Sequence, residues 1–123
     1  MKRVLLVDDN NLFRQSLGLV LKWNTDLKWN IEAGSLVEAR WILGTSNPEL
    51  DLAIIDADLV NGEGFALIEE LRTSDPDVPV LAITLAPDVE RRERALRAGA
   101  DEIITMAASP EEIVDVAKRL VGG

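Results

Sequence analysis

The sequence of 123 residues contains no cysteine and no histidine. Without cysteine, the chain forms no disulfide and offers no thiolate nucleophile, iron–sulfur ligand or zinc thiolate. Without histidine, it has no imidazole base and no Ser-His-Asp triad. Any chemistry must therefore use carboxylates, hydroxyls, amines or a metal. A metal held mainly by carboxylates would be a hard cation such as Mg²⁺, Mn²⁺ or Ca²⁺.

The chain is also poor in basic side chains and in long apolar runs. Its 13 Lys and Arg residues are outnumbered by 22 Asp and Glu residues, which gives a net charge of −9. Such a surface repels phosphates, so we expect no direct nucleic-acid binding. No apolar run is long enough to span a membrane, and the first one ends in Asp8 and Asp9 rather than continuing as a secretory signal. A cytoplasmic location is therefore expected.

Aromatic residues are scarce, with three Trp, two Phe and no Tyr. Trp23, Trp29 and Trp41 lie early in the chain, away from the acidic strand ends described below. We expect them to pack in the core and at helix edges rather than to form a base-stacking platform. Phe13 and Phe65 are expected in the core.

Short apolar runs alternate with helical patterns along the chain. The runs that predict strands are 4–7, 29–33, 52–55, 78–84 and 103–105. Because most of these runs are continuously apolar, with 29–33 the exception, we expect strands covered on both faces, as in a parallel sheet. Helical stripes with capping residues fill the gaps, and Ser109-Pro110 opens the last of them. The pattern predicts an α/β doubly wound fold, in which ligands bind at the carboxyl ends of the strands.

Acids and one threonine stand at these predicted strand ends. They are Asp8 and Asp9 after the first strand, Asp56 and Asp58 after the third, and Thr84 after the fourth. If the first and third strands are neighbours, three carboxylates converge, and their repulsion calls for a proton or a cation. Mg²⁺ suits such a site because it takes oxygen ligands and leaves positions for phosphate oxygens. Each acid alone is more often a helix cap or a solvated turn, so the combination carries the interpretation.

The combination resembles the receiver domain of bacterial two-component response regulators over essentially the whole chain. The resemblance is carried by Val4-Leu5-Leu6-Val7-Asp8-Asp9, Ile54-Ile55-Asp56 followed by Gly64, Ala82-Ile83-Thr84, and Ala98-Gly99-Ala100-Asp101. It implies a flavodoxin-like fold of five βα units with strand order 2-1-3-4-5. Residues 1–123 are accordingly expected to form a single receiver domain.

The resemblance also implies roles for the strand-end residues. Asp56 corresponds to the phosphoacceptor, which takes a phosphoryl group from a sensor histidine kinase. Asp8 and Asp9 correspond to the acidic pair that holds Mg²⁺ or Mn²⁺, with Asp9 the direct ligand and Asp8 acting through water. Asp58 would add its backbone carbonyl to this site. Thr84 corresponds to the switch hydroxyl, so the chain is expected to be a regulatory phosphoacceptor rather than an enzyme.

The end of the fifth predicted strand departs from the family. Met106 stands where the family has a lysine, Ala107 where it has a proline, and Ile103 where it often has Tyr or Phe. Leu85 also replaces a residue that is usually small. We therefore expect phosphorylation of Asp56 to be slower, less consequential or absent. Since a non-proline cis bond costs about 2.5–4 kcal/mol, a trans bond is predicted between Met106 and Ala107.

The resemblance further implies partners. They are a sensor histidine kinase and a second copy that binds through the fourth helix, fifth strand and fifth helix. The fourth helix carries Arg91, Arg92, Arg94 and Arg97. These residues predict either an ion-pairing interface or a solvated helix face. The later part of the chain resembles receivers that precede a helix-turn-helix output domain, which is absent from this sequence. A stand-alone receiver and a part of a longer protein both stay open.

Two other functions are kept as alternatives. Met106 and Ile103 favour a pseudo-receiver, in which the same fold acts as a docking or dimerisation module without phosphorylation. The segment Asp56-Ala57-Asp58-Leu59-Val60 also resembles the nucleophile loop of haloacid-dehalogenase-type phosphatases. That family needs a later lysine and a later acid pair, and this chain has no lysine after the loop until Lys118. The phosphatase is therefore the remote alternative.

Overall fold

The computed structural model describes residues 2–122, in which five strands alternate with five α helices. The strands are β1 Lys2–Val7, β2 Leu27–Ala33, β3 Leu52–Asp56, β4 Val80–Thr84 and β5 Glu102–Thr105. The helices are α1 Asn11–Asn24, α2 Leu36–Ser46, α3 Glu63–Ser74, α4 Val89–Ala98 and α5 Pro110–Leu120. A short 3₁₀ turn, Val60–Gly62, precedes α3.

The strands form one parallel sheet in the order β2-β1-β3-β4-β5, as predicted. The central strands β1 and β3 are neighbours, with Val7 opposite Ile55. Their carboxyl ends therefore meet at one edge of the sheet, which places the acids that follow them side by side. β4 begins at Val80 rather than at Val78, because Pro79 has no N–H to donate to the ladder.

Two apolar layers cover the sheet. One face packs against α2, α3 and α4 around Leu5, Ile55 and Ile68. The other packs against α1 and α5 around Leu6 and Leu21. All of β3 is buried, which explains why its sequence is continuously apolar up to Asp56.

Four of the five helices begin after a residue whose side chain caps them. Asn10, Ser35, Asp88 and Ser109 each accept a hydrogen bond from the backbone N–H three residues ahead. Asn10, rather than Asn11, is the cap of α1. All peptide bonds between residues 2 and 122 are trans, which confirms the prediction for Met106 and Ala107.

The expectation that the tryptophans are packed in the core was wrong. Trp23 is 82% exposed, Trp41 67% and Trp29 54%. Trp23 lies on the side of α1 opposite the buried Leu17 and Leu21, and Trp29 lies on the edge strand β2. By contrast, Phe65 is buried, as predicted. Across residues 2–122, no helix combines the length and the apolarity needed to cross a bilayer.

Gly64 supports the end of β3 through a close approach of two backbones. A Cβ at Gly64 would overlap the carbonyl oxygen of Asp56 and lie 3.0 Å from the Cα of Ala57. Both contacts are to backbone atoms, so they cannot be relieved by a side-chain rotation. Glycine at the start of α3 therefore lets this helix sit directly under the third strand end.

Gly64→Ala is expected to lower the free energy of unfolding by about 3 kcal/mol, because the new methyl group forces α3 away from β3. Gly44, inside α2, is the matched control, since a Cβ there meets nothing within 4 Å. Gly44→Ala should raise the same quantity by about 0.5–1 kcal/mol through helix propensity alone. Urea denaturation measures both. Similar effects of the two substitutions would contradict the close approach.

Candidate functional site

Three carboxylates converge at the carboxyl ends of β1 and β3. Ligand oxygens of Asp8, Asp9 and Asp56 all lie within 4.8 Å of one another. Asp8 and Asp56 are buried, whereas Asp9 is exposed. The structure thus brings together the three acids that the sequence predicted as one cluster.

Local turns fix the two buried carboxylates. Asp8 Oδ1 accepts a hydrogen bond from the Asn10 N–H at 2.8 Å. Asp56 Oδ1 likewise accepts one from the Asp58 N–H at 2.8 Å. In each case the chain turns directly after the strand and aims a backbone N–H back at the acid, as in an Asx turn. Arg14 reinforces the first turn, since its Nη1 donates to the carbonyl oxygen of Asp8 at 2.6 Å.

Burial makes these carboxyl groups hard to ionise, and neighbouring negative charges add to its effect. Burial is the main factor that raises the pKa of Asp56 to about 7, and the charges of Asp8, Asp58 and Asp9 raise it further. The hydrogen bond from the Asp58 N–H opposes this increase. Burial also raises the pKa of Asp8, against the lowering effect of the hydrogen bond from Asn10. The two groups interact, so they titrate as a pair.

The cluster fits a divalent hard cation. Its ligands are carboxylate oxygens, which Mg²⁺ and Mn²⁺ prefer over softer donors. A bound cation would also offset the burial and repulsion that raise the pKa of Asp56. Asp9, exposed at the mouth of the cluster, is open to such an ion from solvent.

Thr84 stands on the next strand and is fully buried. Its hydroxyl donates to Oδ1 of Asp58 at 2.9 Å. The N–H of Leu85 donates to Oδ2 of the same carboxylate at 2.7 Å. Nη1 of Arg91, in the first turn of α4, donates to Oδ1 at 2.7 Å. The side chain of Asp58 therefore joins the loop after β3 to the loop after β4 and to α4.

This role of the Asp58 side chain was not predicted from the sequence. Only the backbone carbonyl of Asp58 was assigned, a role that stays a prediction, and Arg91 was expected in an interface or on a solvated face. The pairing of Asp58 with Arg91 spans 33 residues. No pattern of neighbouring residues in the sequence predicts such a contact, because it depends on how α4 is placed over the sheet.

The positions that depart from the family lie at the end of β5. Ile103 is buried in the layer under α2, α3 and α4. Met106 donates its N–H to the carbonyl oxygen of Thr84 at 2.8 Å, and its side chain packs against the layer under α1 and α5. Ala107 is exposed. The segment 103–109 carries no basic side chain, so the loop after β5 brings no cation to the acidic cluster.

The other arginines of α4 are mostly engaged within the chain. Arg94 lies over the ring of Phe65, 4.2 Å from its centroid. Arg97 is 3.7 Å from Glu93 on the same helix, an exposed pair of small energetic value. These contacts favour a solvated helix face for this segment, while dimerisation through it stays a prediction.

Comparison with known proteins relates this chain to signalling domains. Residues 4–118 match the family described as response regulator receiver domain. The virulence transcriptional regulatory protein PhoP of Salmonella typhi is 34% identical over 115 residues, which are 93% of this chain and 49% of PhoP. The probable transcriptional regulatory protein TcrX of Mycobacterium tuberculosis is 32% identical over 112 residues, 90% of this chain and 46% of TcrX. The chain thus spans about half the length of the curated relatives it matches.

Solved structures agree in fold. The response regulator receiver domain protein (CheY-like) from Methanospirillum hungatei JF-1 has a TM-score of 0.87 and 25% identity, covering 98% of this chain and 94% of that one. A response regulator protein from Burkholderia pseudomallei has a TM-score of 0.84 and 25% identity, covering 98% of this chain and 69% of that one. The latter structure contains a phosphorylated aspartic acid, a calcium ion and citrate.

Asp56→Asn is expected to stabilise the metal-free protein at pH 8 by about 1–3 kcal/mol, because it removes a buried, repelled charge. The folded-state pKa of Asp56 lies near 7, above its ordinary value of 3.8. The wild type therefore loses stability as the pH rises from about 4 to about 7, and the loss is complete above that range. The advantage of the Asn variant should grow over this window and then level off.

Urea denaturation across this pH range in the presence of a chelator measures the effect. Glu49→Gln, which neutralises an exposed carboxylate, is the control and should show no comparable growth. An advantage of Asp56→Asn that does not change with pH would contradict a buried carboxyl with a raised pKa.

Proposed function

The chain belongs to the response regulator receiver domain family, and from that membership we propose that it accepts a phosphoryl group on Asp56 from a sensor histidine kinase. The observation that carries this proposal is the convergence of Asp8, Asp9 and Asp56 at one sheet edge. The buried hydroxyl of Thr84 stands on the strand beside it. The phosphorylated aspartic acid of the Burkholderia pseudomallei protein supports the same chemistry on the same fold.

In the proposed reaction, a carboxylate oxygen of Asp56 attacks the phosphorus of the kinase phosphohistidine. An O–P bond forms, the P–N bond breaks, and its electron pair leaves with the imidazole nitrogen, which takes a proton from solvent. Asp56 must be ionised to attack, and its raised pKa of about 7 opposes this at neutral pH. The residues that would hold Mg²⁺ or Mn²⁺ are Asp8, Asp9, Asp56 and Asp58, the last through its backbone carbonyl. The cation would offset the negative charge of the ionised Asp56 carboxylate and that of the incoming phosphoryl group.

The residues of the chain contribute orientation and selectivity to this step. The N–H of Asp58 holds Asp56 Oδ1 at 2.8 Å, which fixes the plane of the carboxylate. Arg14 holds the loop after β1 through the carbonyl oxygen of Asp8. The nucleophile is therefore positioned before a donor arrives, which lowers the entropic cost of the transfer.

The output is proposed to pass through α4, β5 and α5. Thr84 would turn toward the phosphoryl group and bias α4, the helix that Arg91 already ties to the site. PhoP and TcrX are transcriptional regulatory proteins about twice the length of this chain. We accordingly propose a transcriptional output through a further helix-turn-helix domain or a separate partner, with homodimerisation through this face.

A phosphorylation-independent module is the second candidate. It is favoured by the absence of a basic side chain from segment 103–109, where the family places a lysine. Ile103 is an aliphatic residue buried in the core, and it cannot act as an aromatic switch. The haloacid-dehalogenase alternative is not retained, since the family match covers residues 4–118.

Incubation with Mg²⁺ and acetyl phosphate is expected to add one phosphoryl group to the wild type and none to Asp56→Asn, as read by intact mass. The Asn side chain is no nucleophile but keeps the shape of the site. The gain should be lost when Mg²⁺ is chelated. A wild type that gains no mass over a wide range of Mg²⁺ concentrations would overturn the phosphoacceptor proposal and favour the second candidate.

Met106→Lys is expected to raise the rate of this phosphorylation about fivefold or more, because a cation beside the phosphoryl oxygens stabilises their charge in the transition state. A lysine at a half-buried position can extend its ammonium to the site along its aliphatic stem. Ala107→Lys adds the same charge at the next residue, which is exposed, and is the matched control. Equal rates for the two variants would show that Met106 does not limit the reaction.

A further inference from the structure

The carboxylate of Asp58 is the point where three hydrogen-bond donors meet. They are the hydroxyl of Thr84 at 2.9 Å, the N–H of Leu85 at 2.7 Å and Nη1 of Arg91 at 2.7 Å. Donors of these kinds bind phosphate and phosphoryl oxygens as readily as they bind a carboxylate. The loop after β4 and the first turn of α4 therefore form an anion site, and a side chain of the same protein fills it.

This anion site adjoins the carboxylate of Asp56. The N–H of Asp58 donates to Asp56 Oδ1 at 2.8 Å. On the neighbouring strand, Asp56 pairs with Ile83, the residue directly before Thr84. A phosphoryl group on Asp56 would thus be an anion placed beside the donors that Asp58 holds.

The contacts of Asp58 are partly shielded from water. Its side chain is 22% exposed and that of Arg91 is 35% exposed, and Thr84 is fully buried. Water screens an ion pair in this setting less than it screens a pair on the surface. The carboxylate of Asp58 is also held by both a charged donor and neutral donors, which together bind it more firmly than one kind of donor would. Release of these donors is consequently a distinct step with its own cost.

We propose that the Asp58 carboxylate is an internal latch that occupies the anion site of the switch, and that a phosphoryl group on Asp56 must displace it to reach these donors. The proposal rests on the proposed function, since it needs a phosphoryl group on Asp56. Once Asp58 is displaced, Arg91 supplies the phosphoryl group with the positive charge that Met106 cannot provide. Asp58 is therefore a positioning residue that opposes phosphorylation until its contact with Arg91 of α4 is broken.

Asp58→Asn is expected to raise the rate of phosphorylation by acetyl phosphate about tenfold, because a neutral amide competes poorly with a phosphoryl group for Arg91 and the Leu85 N–H. Asp88→Asn is the matched control. It removes the same charge from an exposed position at the start of α4, and asparagine caps a helix as well as aspartate does. This control should change the rate by less than about twofold.

A double-mutant cycle with Thr84→Ala separates a latch from simple repulsion. If Asp58 competes for the Thr84 hydroxyl, the gain from Asp58→Asn should be several times smaller in the Thr84→Ala background. If Asp58 only repels the incoming phosphoryl group, the gain is the same in both backgrounds. The second result would overturn the proposal.

Hydrogen exchange without phosphodonor gives a second, independent measurement. The amide of Leu85 and those of the first turn of α4 should exchange about tenfold faster in Asp58→Asn than in Asp88→Asn, since the latch is the contact that closes this segment. Unchanged exchange would overturn the latch even if the phosphorylation rate rises. Equal phosphorylation rates for Asp58→Asn and Asp88→Asn, with the wild type active, would overturn it while leaving the proposed function intact.

The remaining outcomes are also decisive. Phosphorylation of Asp58→Asn alone, with the wild type and Asp88→Asn inert, would overturn phosphoacceptance by the wild type and would support a latch that is permanently closed in it. No phosphoryl gain in any of the three proteins would overturn both the proposed function and the latch, since no phosphoryl group would then exist for Asp58 to oppose.

Discussion

The burial of the carboxyl groups of Asp8 and Asp56 side by side at one edge of the sheet is the constraint on which the candidate site depends. Parallel pairing of β1 with β3 forces the two strand ends together, and burial then raises the pKa of both acids. Burying these two carboxyl groups costs free energy locally, and the packing of the two apolar layers on either side of the sheet offsets that cost. A stable frame around an unfavourable cluster is the usual arrangement of a site that gains by binding a cation.

Two arginines, Arg14 and Arg91, lie beside this cluster rather than within it. Arg14 contacts the backbone carbonyl of Asp8 and pairs with Glu32, so most of its charge is already balanced. Arg91 is paired with Asp58. Neither arginine replaces a lysine at the end of β5, where Met106 packs against apolar neighbours. The charge balance of the site therefore depends on an external cation and on how the Asp58–Arg91 pair is arranged.

Much of this could be predicted from the sequence, because the features concerned are local. Continuous apolar runs predicted most of the strands, and capping residues such as Ser35 and Ser109 predicted helix starts. The strand order then brings Asp8, Asp9 and Asp56 together. The contacts of Asp58 could not be predicted, since its partners lie up to 33 residues away and are set by helix placement. The exposure of Trp23, Trp29 and Trp41 was missed for a related reason. Hydrophobicity predicts burial on average, but which face of α1 or α2 meets the sheet depends on the other apolar residues of that helix.

Because the Asp58 carboxylate already occupies the proposed anion site, it limits how far a phosphoryl group can bias α4. A phosphoryl group can bias α4 only by the difference between its own hold on Thr84, Leu85 and Arg91 and that of Asp58. Displacement conserves the number of hydrogen bonds to these donors, so the phosphoryl group gains only by the difference in strength between its own bonds and those of the carboxylate. An exchange between two anions can be shifted by a small difference in free energy. An empty anion site would instead bind the phosphoryl group with nothing to compete against it. In the proposed latch, the Asp58 carboxylate therefore keeps the exchange reversible and slows its first step.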